Sequence, residues 1–484
     1  CNTNNRPKMG QSAYSKFETA LVEAGTPLHQ HFVAFSNPGA QCFANSVLQA
    51  LFNCPEFRRR LVMLRQERIE EEQASMSKGA STSRSHKSSK PEPTLLRELE
   101  ELFNSIETDK NRAVICEPKA FMRTLRKKNV LYDDKREHQD AHEMLIYLLN
   151  EIADELGKPL LTTASAASTS TSTNTSSEKP IGRKELFTSK IGPTLVHSVF
   201  QGITRTETKC EKCQTITGKN ETFFDIPLDV IHGDEENKAA SEATTPPPTA
   251  DDAITPSPEV ELEATAASAA PDTSLPPITL NDCIRSFGVT ESLTGGNQFM
   301  CDTCKSLQDA TRQTRITALP SVLILSLKRL KYIERLGKYV KIMRSVSFPL
   351  NLEVTLANPQ FGKTSDGAST SSSSSTTTTN ADTSSSSSSS SPSPPPPPTA
   401  ASSSSVKKEY ELFAVVIHSG VRATVGHYYT AAKIAQPDKW LLFNDNHVTC
   451  INTDWLSHYF GGSGRLKPCA YLLFYGPPLP APPQ

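Results

Sequence analysis

The chain has 484 residues, 51 basic and 52 acidic side chains, a formal net charge of −1 at neutral pH and 36% hydrophobic residues. That balance offers no bulk positive charge for a nucleic-acid backbone, and no run of about 18 or more apolar residues suggests a membrane span. Eleven cysteines, an odd number, and no N-terminal apolar signal segment imply a reducing compartment, cytoplasmic and/or nuclear, while a first residue Cys1 in place of methionine suggests a fragment or processed product.

Residues 1–31 read as an N-terminal extension expected to be partly disordered. The first element with chemistry in it is Asn37-Pro38-Gly39-Ala40-Gln41-Cys42, directly ahead of the apolar-periodic run Val47 to Phe52. A cysteine entering a helix is set up as a nucleophile, because N-terminal N–H groups favour the thiolate and lower the thiol pKa from about 8.5. Asn37, in a Pro-Gly turn before it, carries the kind of amide that stabilises a tetrahedral oxyanion. Helical periodicity runs over 45–65 and again over 138–155, where His138 to Glu143 open a helix and Met144, Leu145, Leu148 and Leu149 supply apolar positions.

Four tracts are too poor in apolar side chains to offset the entropy of ordering: 73–92, 162–180, 233–277 and 363–406. They are read as insertions into one unit, since residues on opposite sides of them must converge. Without them about 350 residues remain, enough for a core split into subdomains. Cys210-Glu211-Lys212-Cys213 and Cys301-Asp302-Thr303-Cys304 flank the third tract. Two such knuckles supply four thiolates for a tetrahedral structural zinc ion with no open position. Thioredoxin-like redox chemistry and two disulfides are the competing readings, neither with a supporting context.

Strands are expected at 322–327, 410–417, 427–432 and 471–475, and the basic residues Lys328, Arg329, Lys331 and Lys338 read as a solvated face. Gly426-His427-Tyr428 supplies a candidate base, and Asn444-Asp445 follows the apolar run Trp440 to Phe443. Cysteine, histidine and asparagine come in the order of papain-like thiol proteases. Residues 478–484 read as a Pro-rich tail. Helices before residue 195 and strands after it make the fold class α+β, with the site in the cleft between them.

At these residues the chain resembles the ubiquitin-specific proteases, whose cysteine box reads approximately Asn-x-Gly-Asn-Thr-Cys-Phe/Tyr-x-Asn-Ser and whose histidine box ends Gly-His-Tyr. The likeness runs through 37–55, 138–155, 196–230, 299–350 and 410–477, making 32–477 one catalytic domain with inserts. HQDAHEMLIYLLNEIADEL, VHSVFQGITRTETKCEKC and LSLKRLKYIERLGKYVKI bring it nearest the subgroup switched on by WD-repeat partner proteins. The resemblance implies a helical thumb, a β-rich palm and zinc-ribbon β fingers that grip ubiquitin. It also implies hydrolysis of isopeptide or peptide bonds at ubiquitin's C-terminal glycine. By matching position, Cys42 is the nucleophile, His427 the base, Asn444 the third triad member and Asn37 the oxyanion donor, with Asp445 a second supporting group. Asp140 and Glu143 fall where the family sets acidic residues against the basic ubiquitin tail; as residues of a first helical turn they also suit the helix dipole. Ala40-Gln41 replaces the usual Asn-Thr, and Ala34 replaces a usual glycine. That altered turn keeps open a binding scaffold without turnover, and a metal-stabilised interaction module without a ubiquitin role is the remaining alternative.

Overall fold

The computed structural model describes residues 32–78, 93–108, 115–134, 138–157, 194–230, 275–333, 338–356, 407–422, 425–434, 436, 438–462 and 467–478. The N-terminal extension, tract 162–180, the tail after residue 478 and most of the other three tracts lie outside the described residues.

The N-terminal half is helical. A short strand β1 (Ala34–Phe35) pairs in parallel with β2 (Ile115–Cys116), and around them lie α1 (Cys42–Phe52), α2 (Pro55–Lys78), α3 (Leu95–Thr108), α4 (Lys119–Lys128), α5 (Ala141–Gly157) and α6 (Leu195–Phe200). The periodicity over 45–65 proves to be two helices. The first stops at Asn53, and the next begins on Pro55, a residue suited to a first helical position and unable to continue the preceding helix. Helix α2 then runs on to Lys78, so residues 73–78 of the first tract are helical; Gln73 and Ala74 are exposed there and add nothing to the core. In α3 the buried positions Leu95, Leu96, Leu99, Leu102, Phe103 and Ile106 fall at helical spacing, as do Met144, Leu145, Leu148, Leu149 and Ile152 in α5. Helix α1 differs, because all of its residues are buried. It is a central helix, covered by other helices on one side and by the palm on the other. No described helix is long and apolar enough to cross a membrane.

The fingers are a four-stranded sheet. Strands β3 (Gly202–Cys210) and β4 (Ile216–Phe223) form a hairpin, and the chain passes through the palm strand β5 (Ile226–Asp229), β6 (Ile278–Thr279) and α7 (Leu280–Phe287). It then makes β7 (Glu291–Leu293), the hairpin β8 (Phe299–Cys301) and β9 (Ser306–Gln308), and β10 (Ala310–Ala318), giving the order β4-β3-β10-β7. Leu275 is buried at 5% exposure, so the third tract ends short of the 277 expected.

The palm is an eight-stranded sheet. Its strands are β11 (Leu323–Lys328), β15 (Asn351–Thr355), β16 (Lys407–Arg422), β17 (Val425–Lys433), β18 (Lys439–Asn444), β19 (His447–Asn452) and β20 (Cys469–Gly476), together with β5. The order is β19-β18-β17-β16-β20-β11-β5, with β15 paired to the start of β16, and only the β11 to β5 pairing is parallel. The small pair β12 (Leu330–Ile333) and β13 (Lys338–Lys341) is antiparallel, and β14 (Val346–Ser347) joins β6. All four strands expected from the sequence fall within or against these elements.

Alternation explains why both palm faces are apolar. In β20, Leu472 and Phe474 pack with the thumb helices while Leu473 and Tyr475 enter a second core on the opposite face. One reading of the basic residues is overturned here. Arg329 is fully buried, donating from Nε to the Ala470 carbonyl, from Nη1 to those of Ile342 and Arg344, and from Nη2 to that of Phe460. Four carbonyls satisfy the rigid guanidinium fork, a geometry no lysine provides, and pin β11 to the loops beside β14 and β20.

Candidate active site and metal centre

The turn before Cys42 is organised by Asn37. Its Oδ1 accepts from the N–H groups of Gly39 (3.3 Å) and Gln41 (3.0 Å), and its Nδ2 donates to Asp445 Oδ2 at 2.9 Å. From within α1, Asn45 Nδ2 donates to the other oxygen, Asp445 Oδ1, at 2.8 Å. Asp445 occupies the two-residue turn joining β18 to β19, where Asn444 pairs with His447, and its φ of 49° lies in the left-handed region that aspartate tolerates better than most residues. The residues that depart from the resemblance are accommodated. Gln41 is buried with its Oε1 accepting from Arg126 Nη2 at 3.2 Å, and Ala34 sits in the β1 pairing with no exposure.

Cys42 opens α1 with its side chain buried. The expectation that the helix N-terminus lowers its pKa is corrected: burial pushes the thiol up to about 12, with Asp445 adding to the rise and the backbone N–H groups of Tyr428 and Phe43 opposing it. Desolvation of the charged form outweighs the helix terminus here. On β17, His427 has Nε2 at 2.5 Å from Asn444 Oδ1, which leaves Nδ1 as the nitrogen open to a thiol proton, and Asp445 Oδ2 stands 3.8 Å from that same Nε2. The thiol itself is hydrogen-bonded to a different histidine. His138 Nδ1 lies 3.2 Å from Cys42 Sγ. Burial and then the nearby His427 charge hold His138 below its ordinary value, with Asp445 working the other way.

His138 to Asp140 precede α5, which begins at Ala141 and not at residue 138 as expected. Asp140 is the cap of that helix: Oδ1 accepts from the N–H groups of His142 (2.7 Å) and Glu143 (3.4 Å), while Oδ2 accepts from Tyr471 Oη at 2.6 Å. Glu143 is exposed beside it, its carboxyl raised by partial burial and by the Asp140 charge. His142 is turned away from the thiol, with Nε2 at 2.7 Å from Asp225 Oδ2, an oxygen that also accepts from Ser326 Oγ at 2.7 Å.

Cys210, Cys213, Cys301 and Cys304 meet at the fingertip, their sulfurs all within 4.8 Å of one another and those of Cys213 and Cys301 3.5 Å apart. Each knuckle is followed by a residue in the left-handed region, Gln214 at φ 59° and Lys305 at φ 52°, which turns the chain so that both sulfurs point inward. In each, the N–H of that residue donates back to the first cysteine's carbonyl, at 2.9 Å and 2.8 Å. Sulfurs bound tetrahedrally at about 2.3 Å from one ion stand about 3.8 Å apart, so the donor set fits a metal ion.

The family model described as ubiquitin carboxyl-terminal hydrolase matches residues 33–475. The chain belongs to that family. This hydrolase is 30% identical over 473 residues to Ubiquitin carboxyl-terminal hydrolase 4 of Arabidopsis thaliana, covering 96% of this chain and 98% of the relative. It is 28% identical over 472 residues to Ubiquitin carboxyl-terminal hydrolase 12 of Salmo salar, covering 96% and 95%. Two solved structures share the fold. The SAGA DUB module Ubp8/Sgf11/Sus1/Sgf73 bound to ubiquitin aldehyde aligns at a TM-score of 0.54 and 20% identity, over 96% of this chain and 74% of that one. The module bound to monoubiquitin aligns at 0.51 and 19%, over 92% and 69%.

Sequence reasoning assembled Cys42, His427, Asn444, Asn37 and Asp445, and the structure brings all five together. It missed His138 and Asn45, which no periodicity singles out. The clasp on Asp445 generates an expectation for stability. Asp445→Ala leaves two partly buried amide donors unpaired and lowers stability by about 2–4 kcal/mol, with Asp445→Asn intermediate because one acceptor oxygen survives. Equilibrium urea denaturation of the three proteins measures this, and equal midpoints for wild type and Asp445→Ala would refute it.

Proposed function

We propose that this hydrolase is a thiol-dependent deubiquitinase that cleaves isopeptide or peptide bonds at the C-terminal glycine of ubiquitin, with Cys42 as nucleophile and His427 as general base. The observation that carries the reading is a cysteine at the start of a buried helix and, on the strand packed against that helix, a histidine oriented through Nε2 by Asn444. His427 Nδ1 takes the thiol proton as sulfur attacks the scissile carbonyl, and the imidazolium returns that proton to the leaving amine. Water then hydrolyses the thioester, with His427 again as base. Burial favours the protonated thiol, so in this reading the thiolate forms together with the transfer. Asn37 is assigned the oxyanion; one of its two amide hydrogens is committed to Asp445. Asn444 is assigned the orientation of His427, while Asp445, engaged by two amides, holds the Cys42 turn against the palm. Asp140 shapes the tail-binding end of the cleft as a helix cap, and exposed Glu143 faces the basic ubiquitin tail. Cytoplasmic and/or nuclear residence belongs to the same proposal, supported by the odd count of eleven cysteines in the sequence.

A binding scaffold without turnover is the second reading, favoured by the thiol's bond to His138. A ubiquitin probe with an electrophilic C-terminus separates the two. The deubiquitinase forms a covalent adduct that is lost in Cys42→Ala, which still binds ubiquitin; wild-type binding with no adduct would establish the scaffold.

The fingertip cluster is assigned one structural zinc ion, which Cys210, Cys213, Cys301 and Cys304 would hold and which would cross-link the β3–β4 and β8–β9 turns. Purified protein is expected to contain about one zinc per chain, and strong chelation to weaken ubiquitin affinity before it changes Cys42 reactivity. Zinc retained in full by a Cys301→Ser/Cys304→Ser protein would overturn the assignment.

A WD-repeat activating partner is supported by the three sequence segments quoted above. The expected effect is a higher kcat with little change in KM for a fluorogenic ubiquitin amide. An unchanged rate with a partner that demonstrably binds removes it.

A further inference from the structure

Cys42 Sγ and His138 Nδ1 are 3.2 Å apart, and among the described residues no other side chain makes a hydrogen bond to that sulfur. The reactive geometry needs the thiol proton to reach His427, whose Nε2 is occupied by Asn444. In the proposed reaction two imidazoles therefore compete for one S–H. The groups facing His138 are Cys42 from α1, His427 from β17 and Asp445 from the turn after β18. Burial and the neighbouring histidine disfavour the charged form of His138, and a neutral imidazole that accepts the S–H stabilises the protonated thiol.

We propose that His138 is a positioning residue for the reaction: its Nδ1 accepts the Cys42 S–H and parks the sulfur in a protonated resting arrangement that must be released before His427 takes the proton. In the resting form the imidazole proton of His138 is on Nε2. On release the S–H turns to His427 Nδ1 and the proton crosses to it, leaving thiolate and imidazolium; no other bond changes. The release is coupled to the cleft by position. His138 lies two residues before Asp140, whose carboxylate joins the start of α5 to Tyr471 of β20, and exposed Glu143 is one turn further on. A basic peptide tail drawn to these carboxylates acts on the segment that carries His138. This inference rests on the deubiquitinase reading for its substrate, but not for its geometry.

The test uses the full chain with His138→Leu, which keeps bulk and removes the acceptor, and His138→Gln, whose amide oxygen still accepts an S–H. The rate of Cys42 alkylation by iodoacetamide is followed at the Cys42 peptide by mass spectrometry across about pH 6 to 9, alongside steady-state hydrolysis of a fluorogenic ubiquitin amide. His138→Leu is expected to raise the alkylation rate by about fivefold, the equivalent of one lost hydrogen bond, and by the same factor across that pH range. Its kcat rises while KM stays within about twofold. His138→Gln stays near wild type in both assays. A slower or unchanged alkylation rate in His138→Leu, or equal shifts in the two variants, overturns the proposal. Alkylation that separates the variants while none of the proteins hydrolyses ubiquitin amide would instead sink the deubiquitinase reading and leave the parked thiol standing.

Discussion

One carboxylate ties together parts of the chain that are 400 residues apart. Asp445 receives the Asn37 amide on one oxygen and the Asn45 amide on the other, so the turn before Cys42 and the first turn of α1 are both referenced to the β18–β19 hairpin. The left-handed backbone at Asp445 costs some energy and persists because two amides and the flanking strand pairing over-determine it. Two further bonds finish the docking of α1: Thr430 Oγ1 to the Ser46 carbonyl at 2.8 Å, and Gln49 Nε2 to the Val33 carbonyl at 2.6 Å. With the helix fixed at these points, the sulfur at its start can vary only in its own rotamer. That remaining freedom is the one His138 and His427 contest.

The same burial that makes α1 rigid works against ionisation of Cys42. A helix N-terminus contributes only within its first turn, whereas removal of water acts on the whole charge, and desolvation is the larger effect here. A rigid scaffold thus delivers a well-placed but weakly acidic thiol. The proposed chemistry therefore relies on a paired imidazole, and a thiol kept protonated by burial is less oxidisable than its thiolate.

What could be read in the chain beforehand was whatever is local. Short motifs marked Cys42 and His427, the knuckle spacing marked the fingertip, and period-2 and period-3.6 patterns marked the palm strands and thumb helices. What could not be read depends on distant partners. Arg329 sits among lysines in a basic-looking segment, and only the fold reveals the four carbonyls, one from β20 and three from loops, that receive its guanidinium. His138 looks like the first residue of a helix; its contact with a sulfur 96 positions earlier arises from packing of α5 against α1. Asp140 was legible as an acidic residue at a helix start, but its second bond, to Tyr471, spans 331 positions. The sign of the Cys42 shift was misjudged for the same reason, because burial is a property of the whole assembly.

The register of the palm carries a further consequence. Thr355, the last residue of β15, and Lys407, the first of β16, are direct cross-strand partners, so the two ends that a connection must join lie side by side in the sheet. Strands β15 and β16 are adjacent and antiparallel, so the connection between them has only to close a loop. The entropy of closing such a loop grows only logarithmically, about 0.6 kcal/mol for each doubling in length. The sheet therefore works as a socket at that edge, where a folded passenger with neighbouring termini can be spliced in with its own stability intact and with no strand of the palm displaced.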